Sequence, residues 1–227
     1  MKLLVHMTHF QAFFLFFSRV RHLALASLLM GLSAFTPAQA QFRVEVTGVG
    51  LTQVPVAVAP FKGEDGASQK ISAIVLADLE RSGQFRGLAS GKTIDETERP
   101  DLSAMRQLGA DALLTGSVGK MADGRFDVRF RLWDAVKGED MGGQSYVVVP
   151  ADLRLVAHRI ADQVYEKLTG DKGIFSTRIA YITKQGPKHL LWVADADGEN
   201  PQAALTSQEP IISPSWSPSG GQLAYVS

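Results

Sequence analysis

The chain has 227 residues, with 23 basic and 23 acidic side chains, five histidines and no cysteine. The missing cysteine excludes disulfides, thiolate catalysis, cysteine-ligated zinc and a lipidated cysteine anchor. The neutral charge balance turns slightly acidic once the cations of the leader are removed, which excludes the basic field that holds nucleic acid.

The first forty residues carry Lys2, Arg19 and Arg21 but no acidic residue, then the apolar stretch Leu23–Phe35, then Pro37 and the small pair Ala38 and Ala40. This is the pattern of a secretory signal over residues 1–40, cut between Ala40 and Gln41. The competing reading is a membrane anchor, but Leu23–Phe35 is shorter than the roughly 20 apolar residues a spanning helix needs.

From Gln41 the residues alternate. Phe42, Val44 and Val46 point one way and Arg43, Glu45 and Thr47 the other, so a short strand is expected, linked onward through Gly48 and Gly50. VPVAVAP (Val54–Pro60) is nearly continuous in apolar residues, as in a strand buried on both faces. Gly63–Gly66 turns the chain. Ile71, Ile74, Val75 and Leu79 then recur at helical spacing, which predicts a helix over Ser68–Ser82 ended by Gly83. Asp78 and Glu80 on that helix are expected to face solvent. A strand over Gln84–Ala89 follows, then a short helix capped by Asp101.

Three strands come next, Ala112–Val118, Gly124–Ala135 and Gly143–Val149, joined by turns at Asp123-Gly124 and near Lys137-Gly138. Trp133, Tyr146 and Tyr165 read as packing residues. Asp152 opens a helix whose apolar face is Leu153, Val156, Ile160, Val164 and Leu168, closed by Gly170. Strands and helices in this order predict an α/β domain with a mixed sheet over residues 41–172. Beyond Lys172 only short strands and turns remain: Ile179–Thr183, Leu190–Ala194, Ile211–Trp216 and Leu223–Val226. Their spacing is close to that of a four-stranded antiparallel unit over 173–227.

Candidate chemistry is sparse. GLASGKT (Gly87–Thr93) approaches a phosphate-binding loop, but Arg86 stands where the first glycine is needed and no helix follows at once. Thr115–Gly119 lacks the first glycine of a nucleophile elbow, and the only histidines after the leader, His158 and His189, lie on the last long helix and in a hairpin. Asp195, Asp197 and Glu199 suggest calcium, yet the twelve-residue ligand loop with its distal Glu is absent. No catalytic residue, cofactor or metal site is expected.

One stretch is more specific. RIAYITK (Arg178–Lys184), LLWVADADGENPQ (Leu190–Gln202) and SPSWSPSGGQLAYVS (Ser213–Ser227) resemble one blade of the TolB-type propeller repeat. They share its D-x-D-G-x-N-P turn, at Asp195, Asp197, Gly198, Asn200 and Pro201, and its S-P-x-W-S-P-x-G run before LAYVS. Ser219 stands where the family usually has Asp. VPVAVAPF (Val54–Phe61), LLTGSV in the Ala112–Val118 strand and KLTGDKGIFSTRIAY (Lys167–Tyr181) are similar to the same family, so the resemblance spans the mature chain.

The resemblance implies a TolB-like α/β domain followed by the first blade of an all-β six-bladed propeller, the chain stopping short of closure. It implies a monomeric periplasmic adaptor that is not an enzyme and needs no cofactor, linking TolA to Pal in outer-membrane integrity and cell division. The TolA-binding segment then falls on Phe42, Arg43, Val44, Glu45 and Val46. From pattern alone that segment reads first as an edge strand packed at home, and it is the resemblance that reverses the order. Pal falls to the propeller, so this length of chain is not expected to capture Pal at full strength. The alternative is the front of a propeller-gated periplasmic peptidase, with its catalytic residues beyond Ser227.

Overall fold

The apolar run at Val54 forms β1 (Val54–Val58) of a computed structural model that describes residues 53–227. Val56 and Val58 face one side of the sheet and Ala57 and Ala59 the other, all buried. Its neighbours are β2 (Phe85–Ala89) and β3 (Ala112–Lys120), both parallel to it. β4 (Phe126–Asp134) and β5 (Glu139–Val148) then run antiparallel, giving one five-stranded mixed sheet in the order β2-β1-β3-β4-β5.

Both faces are covered, which is why β1 and the start of β3 read as unbroken apolar text. On one face lie α1 (Ile71–Arg81) and α3 (Leu153–Thr169). Ile71, Val75 and Leu79 of α1 and Val156, Ile160 and Val164 of α3 join Val56, Leu114, Val128 and Phe130 in the main core. On the other face the short α2 (Leu102–Gln107) sets Leu102 and Met105 against Ala57, Leu113 and Trp133. Asp101 caps α2 by accepting from the backbone N–H groups of Ser103 and Ala104, as the sequence predicts.

The first helix begins at Ile71 and not at Ser68. A 3₁₀ turn at Glu64–Gly66 precedes it, and the buried Glu64 carboxylate accepts from Ser72 N (3.0 Å) and Ser72 Oγ (2.6 Å). Glu64 thus takes the capping role from a distance, while the local N-cap, Lys70, makes no side-chain cap.

The remaining strands are β6 (Arg178–Gln185), β7 (Lys188–Asp195), β8 (Gln202–Ser207), β9 (Ile212–Trp216) and β10 (Leu223–Val226). They form an antiparallel sheet β6-β7-β8 and a separate pair β9-β10, not a single four-stranded unit. β8 is the strand absent from the sequence reading. Its residues are half-buried or exposed with no apolar alternation, so only its backbone pairing with β7 defines it. Arg178 ties the two sheets together, its guanidinium 5.2 Å from the Trp216 ring centroid and bonded to Gly220 O at 3.3 Å. The mixed-sheet α/β region followed by propeller-type strands otherwise agrees with the expected fold class.

Candidate functional site

Among the described residues, buried charge gathers where α1, α3 and the turn after β7 meet. Arg154 and His158 are four residues apart on α3 and therefore share a face. That face meets the D-x-D turn, whose conformation Gly198 permits with φ 85° and whose closure comes from Gly198 N bonding Asp195 O. Arg154 Nε donates to Asp195 Oδ2 at 3.1 Å and its terminal nitrogen to Asp197 Oδ2. One guanidinium thus holds both aspartates of the turn.

Behind it, His158 Nδ1 lies 2.6 Å from Asp78 Oδ2, and both side chains are 1% exposed. A carboxylate only accepts, so Nδ1 carries the proton in this bond. Asp78 Oδ1 accepts from Arg81 at 2.7 Å. His158 Nε2 is buried without a hydrogen-bond partner and points toward Asp195 Oδ2 and Asp197 Oδ2, each 3.9 Å away. Asp78, His158 and Asp197 each place a potential ligand atom within 4.8 Å of the others.

Asp78 therefore does not face solvent, as its sequence context suggested. It lies on the buried stripe of α1 together with Val75 and Leu79, and a partner 80 residues away compensates its burial. Glu80 is exposed, as expected, and accepts from Gly87 N at 3.2 Å. A second tether lies one turn further along α3. Asp162 accepts from Phe175 N (2.6 Å) and Ser176 N (3.1 Å), fixing the link into β6.

Other candidates from the sequence stay apart. Gly87–Ala89 belongs to the edge strand β2, and the next helix after Thr93 begins only at Leu102. Thr115–Gly119 runs inside β3, and His189 sits at the start of β7, paired with Lys184. Trp133 is buried and donates from Nε1 to Thr115 Oγ1 at 3.3 Å; Tyr165 packs edge-on against Phe85 and Phe175. Phe42, Arg43, Val44, Glu45 and Val46, and the cleavage residues Ala38, Ala40 and Gln41, lie outside the described residues. The signal missed in the sequence is a titratable residue inside an apolar helical stripe. Asp78 and His158 each occupy one.

The helical α/β region is thus clamped through the D-x-D turn to the strands that follow it. The family model described as the TolB amino-terminal domain matches residues 42–141, and the one described as the TolB beta propeller domain matches residues 165–227. The chain belongs to the TolB family.

Curated TolB relatives agree. The Tol-Pal system protein TolB of Albidiferax ferrireducens is 66% identical over 204 residues, covering 89% of this chain and 48% of that protein. Its counterpart in Polaromonas naphthalenivorans is 64% identical over 214 residues, covering 93% and 49%. The crystal structure of TolB from Acinetobacter baumannii superposes with a TM-score of 0.67 at 32% identity, covering 77% of this chain and 44% of that one. The chain spans about half the length of the curated relatives it matches. Among its described residues no helix is long and apolar enough to cross a membrane.

Proposed function

We propose that the chain acts in the periplasm as a monomeric adaptor of the Tol-Pal system, with one end for TolA and one for Pal, sustaining outer-membrane integrity and constriction during division. In this reading the leader over residues 1–40 is removed at Ala38-x-Ala40 before Gln41. Residues 41–172 form the amino-terminal domain and 173–227 open the propeller. Phe42, Arg43, Val44, Glu45 and Val46 engage TolA by adding as a strand to its sheet, backbone bonds giving affinity and alternate side chains giving selectivity. Pal is held by propeller surface. No covalent chemistry is involved.

The observation that carries the proposal is the pair of family matches, one over residues 42–141 beginning at the alternating segment at Phe42 and one over residues 165–227 covering the propeller strands. The clamp of Arg154 on Asp195 and Asp197 supports it, because an adaptor pulled from two ends needs its halves mechanically joined. A pull-down of the mature chain and of a deletion lacking Gln41–Thr47, against the purified TolA carboxy-terminal domain, tests the TolA end. The deletion is expected to lose TolA; undiminished binding would remove the segment from the interface. Pal capture, measured with a chain carrying a whole propeller, is expected to survive the same deletion.

A further inference from the structure

We propose that His158 is a proton-operated latch between the α/β region and the first propeller strands. With protons on both ring nitrogens it closes the seam between α1, α3 and the turn after β7, and loss of the Nε2 proton loosens that seam.

The argument begins with charge. Three carboxylates, those of Asp78, Asp195 and Asp197, share two guanidinium groups, those of Arg81 and Arg154. The Asp197 side chain is 5% exposed and those of Asp78 and His158 1% each, so little water screens the negative charge left over. Uncompensated buried charge is costly. An imidazolium balances the count with groups already in place. Burial alone favours a neutral ring, but a carboxylate within about 4–6 Å favours the charged one, and three of them face this ring.

Every charged neighbour has its place. From α1 comes Asp78, with Oδ2 2.6 Å from Nδ1 and Oδ1 held by Arg81. From the turn after β7 come Asp195 and Asp197, each with Oδ2 3.9 Å from Nε2 and each also accepting from Arg154. On α3 itself, Arg154 lies one turn before the ring, and Asp162, one turn after, is committed to the backbone of Phe175 and Ser176. Glu199 is exposed at the rim. The three carboxylates are therefore not a set of metal ligands, because the oxygens nearest the ring already accept from Nδ1 or from Arg154.

The buried Nε2 has no hydrogen-bond partner. Unprotonated, its lone pair faces two anions with no donor between them. Protonated, it faces them with a positive charge, and at 3.9 Å the attraction is that of an ion pair and not of a directed hydrogen bond. A proton held more tightly by the closed seam than by the unfolded chain stabilises the closed form, and stability then falls as pH rises. The unfolded imidazole gives up its proton near pH 6.5, roughly, so the loss belongs above that value. The latch stands apart from the adaptor reading; where that reading holds, the proton sets how firmly the two ends are coupled.

The test uses the full chain. At about pH 7, where an ordinary imidazole is mostly neutral, the ¹⁵N spectrum should show protons on both ring nitrogens of His158. Asp195→Asn combined with Asp197→Asn, which removes both anions facing Nε2, should lose the second proton at the same pH. The urea midpoint should fall between about pH 6 and pH 8.5 in the parent and in His189→Gln, and stay level in His158→Gln, whatever stability that variant starts from. Amide exchange at Gly198 and Glu199, corrected for its intrinsic pH dependence, should quicken several-fold over the same range in the parent alone of the parent and His158→Gln. The unmodified protein suffices to overturn the proposal: a single proton on Nδ1 at about pH 7 would do so, as would a level midpoint. A pH dependence that survives His158→Gln would overturn it too.

Discussion

His158 Nδ1 stands 2.6 Å from Asp78 Oδ2, joining the last long helix to the first across 80 residues of sequence. The pair is buried on both sides, and Arg81 holds the second oxygen of the same carboxylate. Asp78→Ala would leave both the imidazole N–H and the guanidinium without their acceptor. The expected loss is about 3 kcal/mol or more of unfolding free energy. Asp78→Asn retains an acceptor for His158 and should cost clearly less. Urea denaturation midpoints of the two variants check the order; equal losses would mean that the charge, and not the hydrogen bond, matters.

Asp162 holds the link into the propeller strands by accepting two backbone N–H groups, those of Phe175 and Ser176. Gly173 makes room for this, since a Cβ there would stand 2.4 Å from Asp162 Cα and 2.5 Å from its Oδ1. Asp162→Ala is expected to cost about 1–3 kcal/mol and to speed amide exchange at Phe175 and Ser176 specifically. Gly173→Ala should reproduce the local exchange pattern by forcing the link away from the Asp162 backbone and carboxylate together. Unchanged exchange in both variants would show that the link is fixed by other contacts.

On the far side of the sheet, Asp95 has a carboxyl held well below the usual carboxylate range. The Thr97 hydroxyl is the largest cause, followed by the Lys62 ammonium at 2.9 Å and the backbone N–H of Thr97, with that of Glu98 adding to them. A folded-state value below the unfolded one stabilises the fold above the unfolded value of about 3.9, and the contribution is lost as pH falls through the folded value. Melting temperature between about pH 5 and pH 2 should therefore fall more steeply for the parent than for Asp95→Asn. Parallel curves would exclude Asp95 as a source of acid sensitivity.

Ile160 is fully buried on α3 within the main core. Ile160→Ala is expected to cost about 2–5 kcal/mol through lost transfer energy and the cavity left behind. Denaturation followed by tryptophan fluorescence measures it. A loss below the low end would mean that the α1–α3 layer collapses to fill the space.

Much of this was legible in the chain itself because it is written in local patterns. The double-sided burial of β1 appears as VPVAVAP, the cap of α2 as Asp101, and the end of α3 as Gly170 with φ 84°. The D-x-D-G-x-N-P turn and the W-S-P-x-G run suffice to place the strands after Arg178 in a propeller repeat. Strand β8 was not legible, because QAALTS carries no apolar alternation and exists as a strand only through its ladder with β7.

The candidate site divides the same way. Sequence alone determined which residues form the turn at Asp195 and Asp197 and that His158 lies on the last long helix, since turn chemistry and helical period act within a few residues. It misjudged Asp78, whose charge argues for solvent when only α1 is considered. Tertiary packing decided that α1 and α3 lie side by side and present Asp78, His158 and the two turn aspartates to one another. A buried charge is stable only beside its partner, and the partners here come from three separate segments whose meeting no local pattern encodes.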